Sequence, residues 1–174
     1  SDIGINMNMA PVLDVAPEGI NSIMKNRVFG NDPYRVADLG TTVIKELQKA
    51  KIIAVGKHFP GIGRTILDSH LDLPLLDIDF KALESYDLIP FKAAKTVGVA
   101  GMMLSHIRYK KIDRQWPASL SIEIAKKLLR EQMDFQGLVI TDDLDMGAIE
   151  KHFDIETAIS RIFAAYIDIT LICH

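Results

Sequence analysis

At 174 residues and a formal charge of −3, with 48% hydrophobic and 25% charged residues, the chain has the length of one globular domain and no compositional sign of disorder. It has no Lys/Arg-rich block of the kind nucleic-acid binding rests on, and no apolar stretch reaches membrane-spanning length, so neither nucleic acid nor membrane is an expected partner. The single Cys173 cannot form an intramolecular disulfide, so the fold does not require an oxidising compartment and a cytoplasmic location is expected.

Apolar, β-branched runs alternate with amphipathic segments, the pattern of a parallel α/β sheet. The first expected strand, Ile5–Val15, ends near Asp14. A helix should open with Asp32 as N-cap and Pro33 in its first turn, burying Val36, Leu39, Val43, Ile44 and Leu47 on one face. The second strand, Ile52–Val55, runs into Lys57-His58-Phe59-Pro60-Gly61-Ile62-Gly63, where Pro60, Gly61 and Gly63 stop regular structure. Helical pattern follows from Asp79 through Leu83, breaks before Pro90 and resumes through Phe91 and Ala94. A third strand, Gly101–Ser105, leads to His106, and Ser121 then caps a helix whose Ile124, Leu128, Leu129 and Met133 form the buried stripe. The fourth strand, Gly137–Thr141, delivers Asp142 and Asp143. A helix from Asp154 through Tyr166, with Ala158, Ile159, Ile162, Phe163 and Ala165 inward, precedes the fifth strand, Ile167–Ile172. With no linker, repeat or low-complexity segment, residues 1–174 are assigned to one unit.

In parallel α/β folds reactive groups gather beyond the carboxyl ends of the strands. Asp14, Lys57 with His58, His106, and Asp142 with Asp143 all fall there. Asp68 and His70 stand one residue apart, close enough for a carboxylate to fix the tautomer of an imidazole and raise its pKa, which makes a proton donor and acceptor near neutral pH. Each piece has a plainer reading: Asp68-x-His70 as a loop hydrogen bond, Asp142 as an N-cap for a helix near Gly147, and Arg27 as a surface ion pair.

Taken together, Lys57 to Gly63 with Asp68-Ser69-His70 close behind resembles the signature of glycoside hydrolase family 3, in its bacterial β-N-acetylglucosaminidase branch. Thr141-Asp142-Asp143-Leu144-Asp145-Met146 is similar to that family's nucleophile segment, and Asn26-Arg27-Val28-Phe29-Gly30 to its sugar-binding segment. The resemblance implies a (β/α)8 TIM-type barrel, here an incomplete one of about five strand–helix units, since such a barrel takes about 250 residues. It implies a retaining mechanism on terminal non-reducing N-acetyl-β-glucosamine, the substrate being an amino sugar or muropeptide. Asp142 would be the nucleophile and His70, polarised by Asp68, the acid and base. Arg27, Lys57 and His58 would bind sugar hydroxyls, Lys57 would help keep Asp142 ionised, and no metal or organic cofactor is required. It further implies cis peptide bonds at Lys57-His58 and Phe59-Pro60. Two departures stand out: Ile62 replaces a usual His, and Tyr166 a usual Gly, so the backbone near Tyr166 is expected to be arranged differently. Open sheet edges predict self-association. Two rivals are a metal-dependent hydrolase with ligands from His58, Asp68, His70, His106 and Asp142, and a sugar-binding module without activity.

Overall fold

The computed structural model describes residues 4–173 and has an α/β architecture, a curled parallel sheet with helices against its outer face. In chain order the elements are β1 (Met7–Asn8), α1 (Pro33–Lys49), β2 (Ile53–Phe59), β3 (Leu75–Leu76), α2 (Phe80–Ala82), α3 (Ile89–Thr96), β4 (Gly101–Leu104), β5 (Arg108–Tyr109), β6 (Leu138–Asp143), α4 (Gly147–Glu150), α5 (Ile155–Ala164) and β7 (Ile169–Leu171). Wide π-helical turns cover Leu83–Asp87 and Ile122–Gln132. The main sheet has the order β1-β2-β4-β6-β7 with every neighbouring pair parallel. The architecture is the incomplete barrel that the sequence implied.

Alternation along the strands decides which side chains face outward to the helices and which face the concave side. Ala54, Met102, Leu104 and Val139 point outward and join Ile44, Phe91, Leu128 and Ile162 in the main core, where Phe59 meets Phe91 edge-on at 5.4 Å between centroids. Each fully buried Leu or Phe there contributes about 1.5–3 kcal/mol. The opposite residues, Val55, Met103 and Ile140, form a second cluster with Met7, Ile53, Leu138 and Ile169 around them. Extending that inner stripe by one more residue pair puts Lys57 on β2 and Asp142 on β6 on the concave face, at the carboxyl rim.

Helix ends follow the sequence closely. Asp32 accepts from Tyr34 N, Ser121 from Ile124 N and Asp154 from Thr157 N, each satisfying an otherwise orphaned donor. Several other expectations are corrected. The strand expected over Ile5–Val15 is regular only at Met7–Asn8, because Pro11 has no N–H to give to the ladder; pairing resumes as a single bridge from Val12 to Lys57. The second strand runs on through Lys57 and His58 instead of stopping at Val55, and the chain around Pro90 stays helical through the wide turn before it. Leu39 and Phe163 lie at the surface, Phe163 with 77% of its area exposed, while Ala37 and Gly40 pack inward on α1. A small parallel pair, β3 with β5, was not foreseen. Among the described residues β1 and β7 each have a sheet neighbour on one side only, and no helix is long and apolar enough to cross a membrane.

The Gly-to-Tyr departure falls at the carboxyl end of α5. Tyr166 takes φ 57, a left-handed conformation that glycine adopts freely, and closes α5 as its N–H reaches Phe163 O and Ile167 N reaches Ile162 O. A left-handed non-glycine residue costs about 1–2 kcal/mol, set against a surface contact in which Lys126 Nζ lies 4.6 Å from the Tyr166 ring centroid. Tyr166→Gly is therefore expected to raise stability by about 0.5–1 kcal/mol, read as a higher urea midpoint at unchanged slope; an unchanged or lower midpoint would show that the ring contact outweighs the backbone cost.

Candidate active site

The carboxyl rim is organised around Asp14. The chain after Pro11 runs alongside β2, with Leu13 N donating to Lys57 O at 2.6 Å and Lys57 N to Pro11 O at 3.0 Å, which carries Asp14 under the start of the Lys57–Gly63 segment. Its fully buried carboxylate takes His58 Nδ1 at 2.7 Å, Ile62 N at 2.8 Å and His58 N at 3.3 Å. A buried carboxylate only accepts, so His58 carries its proton on Nδ1 there and turns Nε2 toward Asp142, 3.9 Å from Oδ2. Lys57–His58 and Phe59–Pro60 are both cis. Ile62 is buried and uses its backbone N–H where the family pattern carries a polar side chain.

The same segment is fastened from two further sides. Tyr109 Oη donates to Gly61 O at 2.9 Å, and Arg64 Nε reaches both oxygens of the buried Asp87, at 2.9 and 3.1 Å. Burial outweighs the pull of the guanidinium and pushes Asp87 up to about 6. Gly63 lies against the backbone of the first strand region: a Cβ there would sit 1.8 Å from Val15 O, so only glycine fits.

At the end of β6, Asp142 and Asp143 part ways. Asp143 is consumed by the loop, its Oδ1 accepting from Asp145 N and Cys173 N and its carbonyl from His106 Nε2 at 2.8 Å. Among the described residues, Asp142 accepts its neighbour's N–H at Oδ1 and keeps Oδ2 toward His58. The N-cap reading of Asp142 is excluded, because the residue preceding α4 is Met146 and no side chain caps it. Burial lowers the pKa of Lys57, while the charges of Asp142 and Asp14 pull it up and that of Arg27 pushes it down. These groups therefore share one electrostatic neighbourhood. His106 is buried, held by Ser119 Oγ at 2.7 Å and Asp143 O; desolvation lowers its pKa and keeps the ring neutral as a wall of the site.

Asp68 and His70 occupy a separate, more exposed loop. His70 Nδ1 meets Asp68 Oδ1 at 2.8 Å, and the His70 N–H reaches the same oxygen at 2.9 Å. That N–H bond first, then the ring bond and the Arg27 charge, hold Asp68 below its ordinary carboxylate value. With Nδ1 engaged, the Nε2 of His70, a side chain 65% exposed, is the position for a travelling proton. Arg27 makes no ion pair among the described residues; its guanidinium rests on Met24 Sδ at 3.6 Å, and its charge bears on both Lys57 and Asp68. The structure thus brings His58 and Asp142 together beside Lys57, and sets Asp68 and His70 on a separate loop that shares the charge of Arg27 with Lys57.

The metal-ligand set His58, Asp68, His70, His106 and Asp142 is not assembled: among the described residues no three His, Cys, Asp or Glu side chains are placed to hold a metal ion. A concavity of about 1020 Å³ opens at the other, amino-terminal ends of β4 and β6, beside Ala100, Gly137 and Arg130, and contains none of the site residues. Sequence reasoning placed Asp14 at a strand end without a role, and overlooked Arg64–Asp87 and the contacts of Asp72 with His152. Those partners lie 44, 23 and 80 residues apart, beyond the reach of any local pattern.

The model for the glycosyl hydrolase family 3 N-terminal domain matches residues 1–174. A β-hexosaminidase of Nitrosospira multiformis is 37% identical over 172 residues, covering 98% of this chain and 48% of that protein. Among solved structures, a family 3 β-N-acetylglucosaminidase from Paenibacillus superposes with a TM-score of 0.93 at 35% identity, over 98% of this chain and 32% of the other. NagZ from Neisseria gonorrhoeae, solved with N-trifluoroacetyl-D-glucosamine, gives 0.86 at 36% identity, over 98% and 48%. The chain thus spans about half the length, or less, of the relatives it matches.

Asp14→Ala would leave three donors, the buried His58 imidazole among them, without an acceptor. The expected loss is about 3 kcal/mol of stability with the downfield His58 Nδ1 proton resonance abolished; a variant retaining that resonance would show that another group holds the ring.

Proposed function

The chain belongs to glycosyl hydrolase family 3, and from that membership and the geometry of its rim we propose that it carries the catalytic residues of a retaining β-N-acetylhexosaminidase acting on terminal N-acetyl-β-glucosamine of peptidoglycan fragments. The observation that carries the reading is Asp142: a carboxylate on the concave face at the end of β6, turned toward His58 at 3.9 Å and lying in the field of Lys57.

In the first step an Asp142 oxygen attacks the anomeric carbon as its bond to the leaving-group oxygen breaks, and imidazolium His70 gives that oxygen its Nε2 proton. The product is a glycosyl ester on Asp142. In the second step neutral His70 takes a proton from water, whose oxygen attacks the same carbon and releases Asp142. Asp68 holds the His70 ring through Nδ1 in both steps, which leaves Nε2 as the atom that gives and takes the proton. Arg27 and Lys57 donate to sugar hydroxyls, His58 accepts from one at Nε2 because its proton is held on Nδ1, and the neutral His106 shapes the wall beside them.

Asp142→Ala should reduce hydrolysis of 4-nitrophenyl N-acetyl-β-glucosaminide by at least about 1000-fold with an unchanged circular dichroism spectrum; activity equal to the unmodified protein would remove Asp142 from the nucleophile role. His70→Ala should cost least with leaving groups that need no proton, such as 2,4-dinitrophenolate. Equal loss across a leaving-group series would refute the acid assignment.

A further inference from the structure

The loop that bears His70 contains no regular structure between Gly63 and β3, yet its middle is tied down at four successive residues by one short stretch of chain. Gly147 N donates to His70 O at 3.2 Å, Ala148 N to Ser69 O at 3.0 Å, and Lys151 Nζ to Leu71 O at 2.7 Å, while His152 Nε2 meets Asp72 Oδ1 at 2.5 Å. All four groups belong to α4 and the turn after it, which follow directly from the Asp142 segment. Gly147 makes the approach possible, since a Cβ there would come within 2.8 Å of both His70 O and Leu71 O. The far end of the clasp is stiff: the Phe153 ring stacks on Trp116 at 5.3 Å, and Arg161 lies over Trp116 while donating to Leu120 O.

We propose that residues 147–152 clasp the His70 loop to the nucleophile segment, with His152 and Asp72 as its side-chain lock, so that His152 is a positioning residue for proton transfer by His70. The proposal rests on the reading of His70 as the acid and base. Backbone bonds alone fix Ser69 and His70 from one side; the lock pins Asp72 and, through it, the direction in which the chain leaves His70. Asp72 Oδ1 also accepts from Leu73 N at 2.7 Å, so the carboxylate organises the turn it closes. The two halves of the chemistry are thereby held in one frame, although the nucleophile lies on a strand and the acid on a loop. A proton-transfer geometry tolerates little slack, and a loop freed at one end samples positions from which the leaving oxygen is out of reach.

Hydrogen–deuterium exchange tests the clasp without relying on activity. His152→Ala and Asp72→Asn should each speed exchange over residues 66–73 by about tenfold or more, leave β4 and β6 protected, and in combination go no faster than either alone. Unchanged exchange in that loop, or acceleration spread over the whole sheet, would overturn the proposal. In turnover, His152→Ala should lower kcat for poor leaving groups with little change in KM, recover with 2,4-dinitrophenolate, and be rescued in large part by His152→Gln, whose amide N–H can still reach Asp72. A loss independent of the leaving group, alongside a leaving-group-dependent His70→Ala, would reject His152 as a positioning residue while leaving the role of His70 intact. If His70→Ala itself shows no such dependence, the acid assignment fails, and the exchange result alone decides whether the clasp exists.

Discussion

The site depends on one buried carboxylate. Asp14 has no access to water, and a charge in that position is tolerable only because three donors converge on it. Each of those donors belongs to the Lys57–Gly63 segment, so satisfying the carboxylate and shaping the segment are the same event. The arrangement fixes the His58 tautomer, aims Nε2 at Asp142 and draws Ile62 inward. Tyr109 and the Arg64–Asp87 pair add to a geometry that Asp14 has already set.

The second constraint is the two-residue period of the strands. Ile53, Val55 and Lys57 share one face of β2, and Leu138, Ile140 and Asp142 share one face of β6. The apolar members pack against Met103 between them; Lys57 stands level with Met103 and Ile140, and Asp142 follows one step further along the same face. A slip of one residue in either strand would turn Lys57 or Asp142 out toward the helices. Core packing on the concave side is therefore what keeps the two charged groups facing one another's field.

Much of this was legible in the sequence because it is local. Caps at Asp32, Ser121 and Asp154, the position of Asp142 at the end of its strand, and the Asp68–His70 bond all involve neighbours within a few residues. Strand limits were less legible: Pro11 interrupts what composition reads as one run, and Lys57 and His58 extend a strand that their polarity appeared to end. Leu39 and Phe163 fit a helical stripe by spacing but face outward, because the inward-facing places on those helices are taken by smaller residues such as Ala37, Gly40 and Ala158. The partnerships of Asp14, Asp87 and Asp72 join distant parts of the chain, and no periodicity announces them.

The close backbone approach at Gly63 has a consequence for anyone diversifying this protein. The segment is wedged at its two glycines: a Cβ at Gly63 would overlap Val15 O, and Gly61 takes φ 122 with Asp87 Cβ 3.0 Å from where its own would stand, so a substitution at the first displaces main chain and at the second strains it. A few residues on, Ile66, Leu67 and Leu71 stand in solvent. A combinatorial library should therefore leave the wedge untouched and, where it samples these exposed side chains, keep Asp68, His70 and Asp72 fixed beside them.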